Sequence, residues 1–171
     1  MNSINHALWG ATIGRAVGLP LEGALIASVP DIVTIPLFAW SKYRYSPKLT
    51  QAPRWVFKTY YFVHNWFTAV GASIALSFIS PVLGILGLGY LWHTVEDAFL
   101  HTDLASPFLW PVWKGKIKAY SAADHPWIQI LDLSLIIAVN YLLFPKPPVM
   151  SPILVAVIVV AVLAGIMVGK S

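Results

Sequence analysis

Four apolar stretches set apart by prolines and basic linkers constrain the fold of this chain more than any other feature. They cover residues 66–80, 82–100, 127–144 and 153–168. A helix needs roughly 20 apolar residues to cross a hydrocarbon core about 30 Å thick, and the stretches lie near or below that length. Prolines separate the first stretch from the second and the third from the fourth, as expected of tight turns between helices. The pattern predicts an all-α, polytopic membrane protein with four main spans.

Composition agrees with this prediction and limits the chemistry. Of the 171 residues, 58% are apolar and only 11% are charged, which is far from the composition of soluble domains. A chain of this length predicts one integral membrane domain over 1–171. The sequence contains no cysteine, so a thiolate site is excluded and any metal ion must be held by nitrogen and oxygen ligands.

The basic residues predict how the chain is oriented. They concentrate in two linkers, 41–62 and 112–120, which contain no acidic residue. The positive-inside tendency places both linkers in the cytoplasm. Aromatic residues are interleaved with the first group, a pattern that is also found in nucleic-acid-binding proteins. An aromatic belt with attraction to anionic lipid explains the same residues, so we expect membrane lipid as a partner and no nucleic acid.

An ionisable stripe interrupts the second apolar stretch. His93, Asp97 and His101 are successive i, i+4 neighbours and would lie on one helical face over about 12 Å. Ionisable groups at membrane depth are costly unless they are paired or coordinated, so they indicate function. Glu96 lies off this face, and we expect it to support the ligands rather than bind metal itself.

The N-terminal third allows two interpretations. Residues 7–29 form either one kinked span or two short helices folded at 18–20, with 28–31 ending the hairpin. If the chain turns at 18–20, His6 lies twelve residues before the turn and Asp31 lies eleven residues after it. This symmetry favours the hairpin, because it brings both side chains to one level.

The same count applies around Pro81. His64 precedes this proline by 17 residues and Asp97 follows it by 16, so they would also lie at one depth. Two hairpins would therefore gather imidazoles and carboxylates at one cytoplasmic rim. Such a set suits Zn²⁺ first, with Mn²⁺ or Fe²⁺ as alternatives, and has room for one or two ions. The predicted metal ligands are His6, Asp31, His64, His93, Asp97 and His101.

These residues also carry a family resemblance. The segments His6-Ala-Leu-Trp-Gly10, Val29-Pro-Asp31, His64, His93-x-x-x-Asp97 and Ser106-Pro-Phe-Leu-Trp-Pro111 resemble the YdjM-like family of membrane-bound, metal-dependent hydrolases. That family is distantly similar to the all-helical superfamily of zinc-dependent phospholipase C and single-strand nucleases. The resemblance covers about 5–115, and the two additional spans within 126–169 lie outside it.

The chain departs from the family pattern at three positions. Val33 and Asn65 replace an acid and a serine that are common in relatives, and Ser106 replaces a histidine that closes a stretch beginning at His101. The resemblance gives His101 and Asp103 a role as ligands of a second ion or as general acid and base. The departures imply a reduced ligand set.

The resulting hypothesis is a membrane-bound hydrolase that acts on a phosphoester, lipid or lipid-linked, with Asp97, His101 and Asp103 as catalytic residues. The alternative is a non-catalytic scaffold, or a metal or proton carrier, whose His and Asp residues pair within the bundle. Asp132 in the third stretch is expected to pair with Asn140 or another polar neighbour. The sequence leaves the oligomeric state open.

Overall fold

The computed structural model describes residues 3–44, 53–100, 109, 111–112 and 126–144. Over these residues the fold is entirely helical, which confirms the predicted class. The helices are α1 (Ser3–Arg15), α2 (Pro20–Arg44), α3 (Arg54–Val63), α4 (Trp66–Ile79), α5 (Pro81–Leu100) and α6 (Pro126–Leu143). The predicted span 153–168 and most of the second basic linker lie outside the described residues.

Helices α1 and α2 form the N-terminal hairpin. Gly18 in the turn has a φ of 78°, a left-handed conformation that glycine adopts without steric cost. The Leu19 amide donates to the Gly14 carbonyl at 2.8 Å, closing the end of α1. Residues 7–29 therefore fold back on themselves, and the single kinked span is excluded.

The second helix of the hairpin is not short, which corrects one expectation. Residues 28–31 do not end it, because α2 continues through Pro30 and Pro36 over 25 residues. Each proline removes one backbone hydrogen bond, but the contacts that α2 makes with neighbouring helices on both sides of the prolines outweigh that loss. α2 packs against α5 along its first part and against α3 along its last, where Phe38 contacts Phe57. Asp31 is consequently a mid-helix residue.

None of the predicted spans that the structure describes meets, by itself, the length and hydropathy expected of a membrane helix. Among the described helices α2, which lies outside the four predicted spans, meets them alone, and α3 and α4 meet them only together, as a pair bent by 52° that is either a broken span or a re-entrant loop. The predicted span 66–80 is thus the second part of this bent pair. α5 is long enough, but its polar residues near His93 lower its hydropathy. The total number of spans remains a prediction.

Small residues bring α1, α2 and α5 together. A side chain added at Gly10 would collide with the backbone of Gly23, and the reverse substitution would collide equally. Gly89 of α5 faces Ala27 and Gly10 at the same contact. Such close backbone approach is typical of helices packed in lipid. It fixes the register of the three helices that carry most of the candidate site.

Helix α6 packs on α1 through polar side chains. The Asp132 carboxylate accepts hydrogen bonds from Asn5 Nδ2 at 2.7 Å and from Trp9 Nε1 at 2.9 Å. The expected polar pairing of Asp132 is thus present, with α1 as its partner. Asn140 instead donates to the Thr12 hydroxyl at 2.6 Å. These contacts set α6 parallel to α1.

Candidate metal centre

Five of the predicted ligands converge in the structure. They come from four parts of the chain and form what we call the His/Asp centre: His6, Asp31, His64, His93 and Asp97. Asp97 is its middle. One carboxylate oxygen, Oδ1, lies 3.1 Å from His6 Nε2, and the other, Oδ2, lies 3.3 Å from His93 Nε2 and 3.4 Å from His64 Nε2.

Asp31 closes the centre on the α2 side. Its Oδ1 atom lies 3.8 Å from His64 Nε2 and 3.9 Å from His93 Nε2. Two triplets have candidate ligand atoms within 4.8 Å of one another: His6, Asp31 and His93, and then His64, His93 and Asp97. Ligands of a tetrahedral zinc ion lie about 3.4 Å apart for bonds near 2.1 Å, so the observed spacing fits a small divalent cation.

The second ring nitrogen of each histidine faces a hydrogen-bond acceptor. His64 Nδ1 lies 3.1 Å from the Tyr60 carbonyl, His93 Nδ1 lies 2.8 Å from the Ala27 carbonyl, and His6 Nδ1 lies 3.0 Å from Glu96 Oε2. A carbonyl oxygen only accepts, so Nδ1 of His64 and of His93 must carry the proton and donate it. In the neutral ring, Nε2 then keeps a bare lone pair. Metal-binding histidines have this arrangement.

The Nε2 atoms of the three histidines point into the centre, where they face carboxylate oxygens. The Nε2 lone pairs of His64 and His93 are directed at carboxylate oxygens, and His93 Nε2 has no hydrogen-bond partner. Burial makes this arrangement costly, since His93 is 0% exposed and Asp97 is 3% exposed. A cation between these groups would remove the repulsion and offset the buried negative charge. The donor set therefore fits a divalent metal ion.

Local structure explains why each side chain points inward. His93 and Asp97 are i, i+4 neighbours on the face of α5 that packs on the hairpin. His64 lies at the break between α3 and α4, where Asn65 caps α4 by accepting from the Thr68 amide at 2.9 Å. The break turns the His64 ring toward α5. His6 stacks on His93 with ring centroids 3.7 Å apart.

The structure brings together the five predicted ligands that it describes, while their binding of metal stays a prediction. His101 and Asp103 lie outside the described residues. Glu96 contacts His6 from behind, in the supporting position expected for it. One contact that the sequence does not predict is made by Tyr60, one of the aromatic residues of the first linker, whose ring stacks on His64 with centroids 4.2 Å apart. Its i, i+4 spacing from His64 was the available signal.

Comparison with known proteins gives no match for this chain among family models, curated proteins or solved structures. The resemblance to the YdjM-like family therefore stays a prediction from the motifs. The geometry of the His/Asp centre is therefore the basis for assigning a function.

Proposed function

We propose that this protein is an integral membrane protein of the YdjM-like family whose His/Asp centre binds a divalent metal ion and hydrolyses a phosphoester. Its polytopic arrangement, with the basic linkers 41–62 and 112–120 in the cytoplasm, belongs to the same proposal. Zn²⁺ is the favoured ion, with Mn²⁺ and Fe²⁺ as alternatives, and one or two ions are expected.

One observation carries the proposal. Three histidines from three separate segments direct Nε2 at the Asp97 carboxylate, while an acceptor holds each Nδ1 from behind. His93 Nε2 makes no hydrogen bond although Asp97 Oδ2 lies 3.3 Å away, and a cation between these atoms would account for that arrangement. The arrangement is the one in which outer groups orient metal ligands.

The residues divide the work as follows. His6, Asp31, His64, His93 and Asp97 would hold the metal, and Glu96 would orient His6 through its Nδ1 proton. Both oxygens of Asp97 face imidazoles, so this carboxylate can serve two ions as a bridge. When bound, a divalent ion supplies Lewis-acid activation of a water molecule and of a phosphoryl oxygen. His101 and Asp103 are proposed as further ligands or as general acid and base.

The substrate proposal follows from charge. Lys42 and Arg44 at the end of α2 and Arg54 and Lys58 on α3 are exposed at one end of the molecule. Lys42 lies eleven residues beyond Asp31, about 16 Å along α2, so these side chains would attract an anionic substrate to this end of the molecule rather than bind it at the centre. A phosphoester, lipid or lipid-linked, therefore suits the molecule better than an uncharged substrate.

Metal binding is tested by elemental analysis of the purified protein. We expect near-stoichiometric Zn, Mn or Fe in the wild type and loss of metal in Asp97→Asn and His93→Ala. Glu22→Gln is the matched control, because Glu22 is an exposed carboxylate on α2, the helix that carries Asp31. Retention of metal by a folded Asp97→Asn variant, or no metal in any form, would refute the assignment.

Hydrolysis is tested separately. Metal-loaded, chelated and metal-restored protein would be screened with phosphodiester and phosphomonoester substrates. We expect activity that chelation abolishes and metal restores, with none in Asp97→Asn. Stoichiometric metal without activity on any substrate would contradict the hydrolase and favour the scaffold or carrier.

A further inference from the structure

The helices around the His/Asp centre continue well past it, away from the α1–α2 turn. On α2, Trp40 lies nine residues beyond Asp31, or about 14 Å along the axis. Asp132 of α6 contacts Asn5, next to His6, and Trp127 lies five residues further out, or about 8 Å. The centre is thus followed by about one and a half to two and a half further turns of helix.

The surfaces of these continuing segments are largely apolar, although Lys58 on α3 is exposed about 9 Å beyond His64. On each of four helices, large hydrophobic side chains beyond the centre, or level with it, are more than half exposed: Ile32, Ile35, Phe62, Phe99, Trp127 and Ile130. Among the described residues, exposed apolar side chains on four helices near the level of the centre are unfavourable in water and favourable among acyl chains. Hydrocarbon would therefore surround the centre and extend beyond it.

The length of α2 between the centre and the opposite face of the bilayer agrees with this placement. The α1–α2 turn ends at Leu19, and from there to Asp31 α2 advances twelve residues, or about 18 Å. Adding the 8 to 14 Å beyond the centre gives about 26 to 32 Å, close to the ~30 Å hydrocarbon core of a bilayer. Along the α1–α2 hairpin the apolar layer therefore ends near Trp40 and Trp127, while α4 with its flanking residues runs about 26 Å from His64 to Pro81 and reaches past the α1–α2 turn.

Charged residues mark the boundary of the apolar layer that lies nearer to the His/Asp centre. Trp40 and Trp55 contact each other with ring centroids 5.7 Å apart, as in an interfacial aromatic belt. Lys42, Arg44 and Arg54 follow immediately, are exposed, and lie in a linker that contains no acid. This order of apolar surface, tryptophan pair and basic residues matches acyl chains, interface and anionic headgroups.

We propose that the His/Asp centre lies about 10 Å inside the hydrocarbon layer, and that its substrate is a membrane-resident amphiphile with an anionic phosphoester headgroup. The substrate part rests on the proposed function; the depth rests on the helix lengths and apolar surfaces, and only its test needs a bound metal ion. A small water-soluble phosphoester would have to leave water entirely to reach this depth, and only its contacts with the centre would offset the lost hydration. An amphiphile gains from keeping its chain in hydrocarbon throughout. The proposal moves the centre inward from the rim that sequence spacing indicates.

The depth is tested with Mn²⁺ bound at the centre as a paramagnetic probe. The protein would be placed in phosphatidylcholine vesicles whose lipids carry isotope labels at the choline, at C2 or at C8. We expect the strongest Mn²⁺ broadening on the acyl-chain labels, after subtraction of the broadening seen with His93→Ala. Strongest broadening at the choline would overturn the depth while leaving the metal site intact. Failure to bind Mn²⁺, Zn²⁺ and Fe²⁺ would instead overturn the proposed function.

The substrate class is tested with two phosphodiesters that share a headgroup. One has short chains and is a soluble monomer; the other has long chains and is dispersed in the vesicles. We expect kcat/KM for the long-chain substrate to be higher by about tenfold or more, because only that substrate is delivered within the bilayer. Equal values would overturn the substrate inference. Activity on neither, with Mn²⁺ at acyl-chain depth, would refute the hydrolase and support the depth.

Discussion

Replacing Glu96 tests whether the histidines are organised to bind metal. Glu96 Oε2 lies 3.0 Å from His6 Nδ1, while His6 Nε2 faces Asp97 at 3.1 Å. Glu96 is 7% exposed and sits behind the ligand rather than beside the proposed ion. If His6 binds metal through Nε2, Glu96 fixes the ring orientation and raises the basicity of that nitrogen.

The expected loss follows from this position. Removing a supporting partner of a metal-bound histidine costs about 10- to 100-fold in metal affinity. Glu96→Gln keeps an acceptor for Nδ1 and removes the charge, so we expect the lower end, about 1.4 kcal/mol. Glu96→Ala removes both, so we expect the upper end, about 2.7 kcal/mol.

Zn²⁺ affinity would be measured by competition with a fluorescent chelator, at one pH and in one detergent. Glu22→Gln is the charge-matched control and should bind Zn²⁺ like the wild type. The reasoning fails if Glu96→Ala, still folded, binds Zn²⁺ within about twofold of the wild type, since a supporting partner is worth at least tenfold.

Three further predictions concern packing and pH. Gly10→Ala should lower the free energy of unfolding by about 1 to 3 kcal/mol, because the added methyl group meets the α2 backbone. Gly71 has open space around it, so Gly71→Ala should not lower it, and thermal unfolding in detergent would compare the two variants. Asp132→Leu leaves two α1 donors without their acceptor and should lower the free energy of unfolding by about 1 to 3 kcal/mol. Asp132→Asn keeps one of the two hydrogen bonds and should lose less stability, so equal losses of stability in the two variants would contradict this prediction. The amount of Zn²⁺ bound per protein should fall as the pH drops from about 7.5 to 5.5, because protons compete with the metal for the imidazoles. If equilibrium dialysis shows the same amount of bound Zn²⁺ across this pH range, histidine ligation is contradicted.

The sequence predicts the gathering of the His/Asp centre because helix geometry converts residue number into depth. Counting from Pro81 brings His64 and Asp97 to one level, and their atoms lie 3.4 Å apart. Counting from the Gly18 turn likewise predicts the hairpin that presents His6 and Asp31. These predictions need only a turn and a fixed rise per residue.

The sequence does not predict what depends on packing between helices. Pro30 suggests a helix end, but contacts with α5 and α3 carry α2 beyond it, and this leaves Asp31 in the middle of a helix. The Ala27 carbonyl that orients His93 could not be found from sequence, since every residue has a carbonyl. The partners of Asp132 are set by how α6 docks on α1, which periodicity alone does not specify.

The most direct measurement is X-ray absorption at the zinc edge on the Zn-loaded protein. The account predicts a first shell of nitrogen and oxygen at about 2.0 to 2.1 Å, with imidazole scattering that weakens in His64→Ala and in His93→Ala. No thiolate sulfur can contribute, since the chain has no cysteine. A spectrum without imidazole scattering, or one unchanged when both histidines are replaced, would contradict the His/Asp centre as a metal site.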